Sequence, residues 1–226
     1  KIKNECPDVK IFAGKDETRR AGNKIRDKWG CLWIYPIDYL DGQVIEHPLD
    51  DWSKLDTYIP PDPDKYVDWE KAKKHVEEAK EKGILTGGGI DHGFFFLLLT
   101  YLRGYENVMI DFAEENPNLY RLIEIIEDYW LKVIKKWIET GVDTIGFGDD
   151  LGLQNSLPIS PSAWRKYIKP SFKKFFTLCK ENKVHAGLHT DGWIVAIMED
   201  LIECGLSILN PQDLVNGIDN IERILK

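Results

Sequence analysis

Two stretches of the chain alternate bulky apolar residues with small or polar ones at a period of two, and both end in acids. In Val184-His185-Ala186-Gly187-Leu188-His189-Thr190-Asp191-Gly192, the residues Val184, Ala186 and Leu188 share one parity. His185, Gly187, His189 and Asp191 share the other. Thr144-Ile145-Gly146-Phe147-Gly148-Asp149-Asp150 repeats the arrangement, with Ile145 and Phe147 on one side and Thr144, Gly146, Gly148 and Asp150 on the other. This is the signature of a β-strand with one face against a packed layer and the other turned toward something polar. Each stretch follows a long helical segment, which predicts parallel strands backed by helices, with function where the strands end. By the same parity Asp150 faces the polar side and Asp149 points toward the helices.

The rest of the chain supplies the expected partners. Asp8 to Gly14 is short, β-compatible and closed by glycine, and predicts a first strand. Asp68 is the cap of a charged helix running to Lys82, with Gly83 as its stop. Ile84 to Ile90 predicts a strand that opens into Gly87-Gly88-Gly89 and leads to Asp91-His92. Three glycines predict close backbone approach to a ligand; with no Walker lysine and no G-x-G-x-x-G spacing, they do not define a phosphate cradle. Asn116-Pro117 opens the longest helix, whose apolar stripe runs from Leu119 through Trp130 to Ile138 before Gly141. Ser160-Pro161 and Pro170 start two more helices, and Trp193 to Cys204, strand Leu206 to Leu209 and a final amphipathic helix complete the chain.

Residues 27–63 break this rhythm, carrying Trp29, Trp33, Tyr35, Tyr39, Trp52 and Tyr58 among Gly, Pro and Asp. They predict an aromatic-rich cap of hairpin strands and loop, of the kind that covers a site. Counting gives about five strands, where a closed barrel needs eight and typically ~250 residues. The expected fold is α/β, a (β/α)8 TIM-type barrel incomplete in this chain, with residues 1–226 as a single barrel domain.

Composition narrows the partners. Thirty basic against thirty-eight acidic residues leave a net charge of -8, which argues against a nucleic-acid backbone or an anionic membrane surface. A basic partner or a small-molecule ligand is the expected partner, and a homo-oligomer is possible. The longest apolar run, Phe94 to Leu99, is far short of the ~20 residues a bilayer span needs. Cys6, Cys31, Cys179 and Cys204 show no C-x-x-C spacing and read as reduced thiols of a cytoplasmic protein. The chain opens without Met, and we expect a piece of a longer protein.

Several motifs, taken in order, resemble the uroporphyrinogen decarboxylase superfamily. They are Asp27-Lys28-Trp29-Gly30, His47-Pro48-Leu49, Pro61-Asp62-Pro63, Leu102-Arg103-Gly104-Tyr105, Asp149-Asp150-Leu151-Gly152-Leu153-Gln154, Leu157-Pro158-Ile159-Ser160-Pro161, His189-x-Asp191-Gly192 and Leu209-Asn210-Pro211-Gln212. Within that superfamily the chain is most similar to the corrinoid-dependent methyltransferase branch. The resemblance implies a distorted barrel with a cleft at the carboxyl ends of its strands, and a cobalamin carried by a separate corrinoid protein. In thiol-using members a strand-end His-x-Cys supplies two zinc ligands and a later Cys the third. His189 matches the first, Asp191 stands at the second, and the later Cys has no counterpart before Lys226.

Imidazole and carboxylate two residues apart at a strand end are acceptable ligands for zinc or another divalent metal. They equally suit an acid/base pair oriented by the acid, or a hydrogen-bonded interior histidine. The candidate catalytic residues are His189, Asp191 and Asp150, with His189 and Asp191 as candidate metal ligands. Asp149, Gln154, Asn210, Gln212 and His92 are candidate substrate contacts. Methyl transfer between a small methylated substrate or acceptor and the corrinoid protein is the first expected function. Uroporphyrinogen decarboxylation is the alternative, although that polycarboxylate calls for Arg and Lys where this mouth offers acids. A non-catalytic binding subunit is the third.

Overall fold

The computed structural model describes residues 18–225. The strand expected at Asp8 to Gly14 lies outside the described residues, as does Cys6. The described residues fall into two compact units, 18–47 and 48–225.

The first unit is a three-stranded antiparallel sheet in the order β1-β2-β3, formed by β1 (Lys24–Arg26), β2 (Leu32–Ile34) and β3 (Gln43–Glu46). Asp27 closes the first turn. Its Oδ1 accepts the N–H groups of Trp29 and Cys31, and its Oδ2 accepts the Trp33 indole N–H at 2.7 Å. An Arg26–Glu46 ion pair links the two outer strands at 2.5 Å. β1 and β2 turn back on one another across residues 27–31.

The second unit holds a four-stranded parallel sheet in the order β4-β5-β6-β7, comprising β4 (Gly87–His92), β5 (Thr144–Gly148), β6 (His185–Thr190) and β7 (Ile208–Pro211). Along β6 the side chains alternate as the parity predicts, with Ala186 and Leu188 buried and His185 and His189 exposed. Two strand starts are later than expected. Ile84 N–H bonds back to Ala79 O and Leu206 N–H to Leu201 O. Both residues thus finish the preceding helix, which leaves Leu85 83% exposed.

Helices follow their caps. Asp68 accepts from Lys71 N–H at the start of α1 (Trp69–Glu81). Next come α2 (Phe96–Arg103) and α3 (Tyr105–Ala113). Asn116 caps α4 (Pro117–Thr140), which stops at left-handed Gly141, φ 84°. Ser160 caps α5 (Pro161–Tyr167), followed by α6 (Lys169–Glu181). The helix expected from Trp193 begins later, as a 3-10 turn at Val195–Ile197 and then α7 (Met198–Glu203). Trp193 and Ile194 are held in the turn before it, because their N–H groups donate to Leu153 O and Asn216 Oδ1. The short α8 (Asp213–Asn216) and α9 (Ile218–Leu225) end the unit.

Aromatic side chains fill the layer between sheet and helices. Phe94, Phe172, Phe175 and Phe176 are fully buried, with the Phe94 ring 5.4 Å from those of Phe147 and Phe172. Trp130 on α4 donates its indole N–H to Phe94 O at 2.6 Å, fixing the chain just beyond β4. Each such side chain removes roughly 150–250 Å² from water. The result is a stiff floor for the strand ends.

Candidate active site

One register row crosses the carboxyl ends of all four strands. His92 of β4 pairs with Gly148 of β5, Gly148 with His189 of β6, and His189 with Asn210 of β7. Glycine at the second position leaves a gap in the row, and the two imidazoles flank it with ring centroids 6.1 Å apart. A Cβ at Gly148 would lie 2.7 Å from His92 Cδ2, so the seat of His92 exists because this residue has no side chain.

His189 is fixed from behind. Its Nδ1 lies 3.2 Å from the Asn210 carbonyl oxygen and 3.1 Å from Asn210 Oδ1. A carbonyl can only accept, so Nδ1 carries a proton, and in the neutral ring Nε2 keeps its lone pair. That Nε2 faces Asp191 Oδ1 at 3.6 Å, with both side chains about half exposed.

His92 and Asp150 form a second pair, Nε2 to Oδ1, at 3.2 Å. The hydrogen bond to Asp150 raises the His92 pKa above the ordinary imidazole value, and the bond to His92 holds Asp150 below the usual carboxylate range. Asp150 Oδ1 also accepts the Asp191 N–H at 3.4 Å, joining the two pairs. Asp91 points elsewhere, 2.9 Å from the Tyr66 hydroxyl.

The loops after β5 and β6 are locked together under this cluster. Gly152 N–H donates to Asp191 O, Trp193 N–H to Leu153 O, and Leu151 N–H to Thr190 Oγ1. Gly192 N–H donates to Gln212 Oε1 at 3.1 Å. Asn216, 1% exposed, donates through Nδ2 to Gly192 O and Gln212 O. Asn210 and Gln212, expected as substrate contacts, thus spend their side-chain oxygens on His189 and the Gly192 turn. Gln154 is exposed in the loop after β5 and makes no hydrogen bond among the described residues.

Asp149 requires a correction. Expected among the substrate contacts, it is fully buried, and its carboxylate accepts the N–H groups of Phe96 at 2.5 Å and Leu97 at 3.1 Å. It therefore caps α2 from the adjacent strand, as its parity toward the helices requires. Burial pushes its pKa up to about 7, against the lowering effect of the two backbone donors.

Replacing Asp149 with Ala should lower stability by about 2–3 kcal/mol, because two helix N–H groups lose their acceptor in a dry site. Asn should cost less. The pH dependence follows from the raised pKa: the folded state keeps a proton that the unfolded chain, at the ordinary 3.8, has released. The stabilisation is full below about pH 4 and is lost as pH rises through about 7. Urea denaturation across that range should show this decline in the wild type and not in Asp149→Asn.

Among the described residues no three His, Cys, Asp or Glu side chains are grouped to hold an ion. His189 Nε2 and Asp191 Oδ1 are two donors, and the Nδ1–H bond to a carbonyl is the support that ligating histidines use. The cysteines among the described residues do not contribute. Cys31, Cys179 and Cys204 are buried, and burial pushes the last two thiols up to about 12 and about 11.

Residues 36–224 match the model of the uroporphyrinogen decarboxylase (URO-D) family. The chain belongs to that family, a class of enzymes built on a TIM-type barrel. Among solved structures it is similar to a methyltransferase from Methanosarcina mazei, at a TM-score of 0.65 and 18% identity over 87% of this chain. The match covers 57% of that structure, so the chain spans little more than half its length. No curated protein matches in sequence. The parallel sheet of the second unit is accordingly part of a TIM-type barrel, four of whose strands lie among the described residues. No helix among these residues is long and apolar enough to cross a membrane.

Proposed function

We propose that the protein transfers a methyl group between a small substrate and a cobalamin carried by a separate corrinoid protein. The observation that carries this reading is the strand-end cluster itself: two histidines and two carboxylates paired with one another around a shared gap. Asp150 and Asp191 pair with His92 and His189 and with no Lys or Arg among the described residues. Such a mouth repels a polycarboxylate porphyrinogen and accepts a neutral or cationic small molecule.

His189 presents the Nε2 lone pair to the cleft, and its bond to Asn210 keeps the ring from turning. Asp191 stands ready to hold a proton or a positive group beside it. A divalent ion, zinc by the donor types, would take His189 and Asp191 as two ligands and supply Lewis acidity toward a thiol sulfur or an alcohol oxygen. Cobalamin on the partner would accept or donate the methyl group. The chain's own part is to bind the small substrate, orient it along the row and exclude water above a rigid floor.

The test offers the protein two substrates in parallel, uroporphyrinogen and methylcob(III)alamin with a panel of thiols. Demethylation of the cobalamin is the expected result, and turnover of uroporphyrinogen alone would overturn the proposal. Treatment with a chelator should slow the reaction and added zinc restore it; an unchanged rate would remove the metal from the account.

A further inference from the structure

We infer that the protein holds a small phosphate ester, away from the strand-end cluster, in the cleft between α4 and the turn that precedes α1. The inference does not depend on the methyl-transfer reading.

The cleft has a volume of about 390 Å³. That lies toward the lower end of the range of about 300–1,000 Å³ typical of small-molecule sites. One wall is the outward face of α4, where Lys132, Lys135, Lys136 and Glu139 follow one another at helical spacing. Trp130 and Val133 are buried on the side turned to the core. The other wall is the 3-10 turn Pro63–Lys65, whose cap Asp62 accepts the Asp64 N–H at 3.0 Å. Both walls are tied to one carbonyl of β4. Tyr66, the residue after the turn, places its hydroxyl 3.0 Å from Gly89 O, and Trp137, the neighbour of Lys136, donates its indole N–H to the same oxygen at 3.0 Å. The fold therefore sets the width of the cleft.

The charges within it are unevenly matched. Asp64 pairs with Lys136 at 2.6 Å and joins the two walls, while Asp62 pairs with Lys65 at 3.8 Å. The Asp64 hydrogen bond raises the Lys136 pKa above the ordinary lysine value, and Glu139 and Asp62 add to the effect. Three carboxylates thus act on one ammonium group. Lys132 and Lys135 are different: neither side chain has an ion pair or hydrogen bond among the described residues. Like charges three residues apart on a helix repel one another. A phosphate monoester brings a charge of about -1.5 to -2 and three acceptor oxygens, enough to neutralise both. A monocarboxylate would leave one of them unmatched. Lysine meets phosphate as a point charge without a fixed fork geometry, which suits two flexible side chains at the rim. The remaining volume, against Pro63, is room for the organic part of the ester.

Titration calorimetry with glycerol phosphate at fixed ionic strength tests the site without any methyl transfer. The expected result is one equivalent bound with a Kd of about 1 mM or tighter. The double variant Lys132→Ala, Lys135→Ala should bind at least about tenfold more weakly with its melting temperature unchanged. Glu139→Gln, which removes the rim carboxylate, should bind about two- to threefold more tightly. Acetate should bind the wild type at least about tenfold more weakly than glycerol phosphate. Absence of saturable binding, or equal affinity in the double variant, would overturn the site. Equal affinity for acetate would overturn the phosphate assignment.

Discussion

His189→Ala is expected to abolish nearly all methyl transfer, lowering the rate by about 10²–10⁴-fold, while leaving the fold unchanged. The reaction loses the ring nitrogen that stands beside Asp191 at the strand ends. Stability loses little, because the side chain is about half exposed and its only hydrogen-bond partners among the described residues are the two oxygens of Asn210. Surface changes of this kind stay within about 0.5 kcal/mol. The comparison that matters is therefore rate against melting temperature. A fall in both by similar proportion would make His189 a structural residue. Asn210→Ala should fall between wild type and His189→Ala in rate, because it frees one of the oxygens that hold the ring and leaves the carbonyl.

The second large effect is on the fold. Gly192→Ala should destabilise the protein by about 3–5 kcal/mol, combining left-handed strain with backbone overlap. Gly192 has φ +80°, and a Cβ there would stand 2.1 Å from Gly152 O and 2.2 Å from its carbonyl carbon. No side-chain rotation relieves a clash between two backbones. The loops after β5 and β6 would have to part, breaking the bonds from Gly152 N–H to Asp191 O and from Trp193 N–H to Leu153 O. At about 2–4 °C per kcal/mol for a protein of this size, the melting temperature should fall by about 10 °C. Gly83→Ala separates the two causes. Gly83 also has positive φ, +68°, but a Cβ there meets nothing within 4 Å. It should cost only about 1–2 kcal/mol, the conformational part. Equal losses in the two variants would show that the loop contact contributes nothing.

Much of the fold and half of the site are legible in the order of residues alone. Period-two alternation locates β5 and β6 and separates Asp149 from Asp150, since neighbours on a strand face opposite ways. The side chains keep to that split: one carboxylate caps a helix in the core and the other meets His92 at the mouth. Caps mark α1, α4 and α5, because Asp68, Asn116 and Ser160 each accept an N–H within the first turn. Placing Asp149 among substrate contacts fails for want of long-range information. Nothing local says that the chain after β4 brings Phe96 and Leu97 under it.

The same limit hides the row. Gly-Gly-Gly-Ile-Asp-His has no apolar alternation to read, so β4 reads as a strand opening into a turn, and the pairing of His92 with Gly148 depends on register between distant strands. Asn216 belongs to no motif read along the chain, and its three bonds around Gly192 appear only when α8 is placed. Local pattern shows which face a residue takes. Which residue sits across from it is set by packing.

The central claim is that the strand-end pair His189 and Asp191 carries methyl transfer. It is tested most directly by following the absorbance of methylcob(III)alamin on mixing with the protein and a thiol, in wild type and in Asp191→Ala. The account predicts rapid loss of the methylated form with wild type and a rate at least about 100-fold lower with the variant at equal fold stability. Equal rates in the two proteins, or no reaction above the protein-free rate in either, would contradict it.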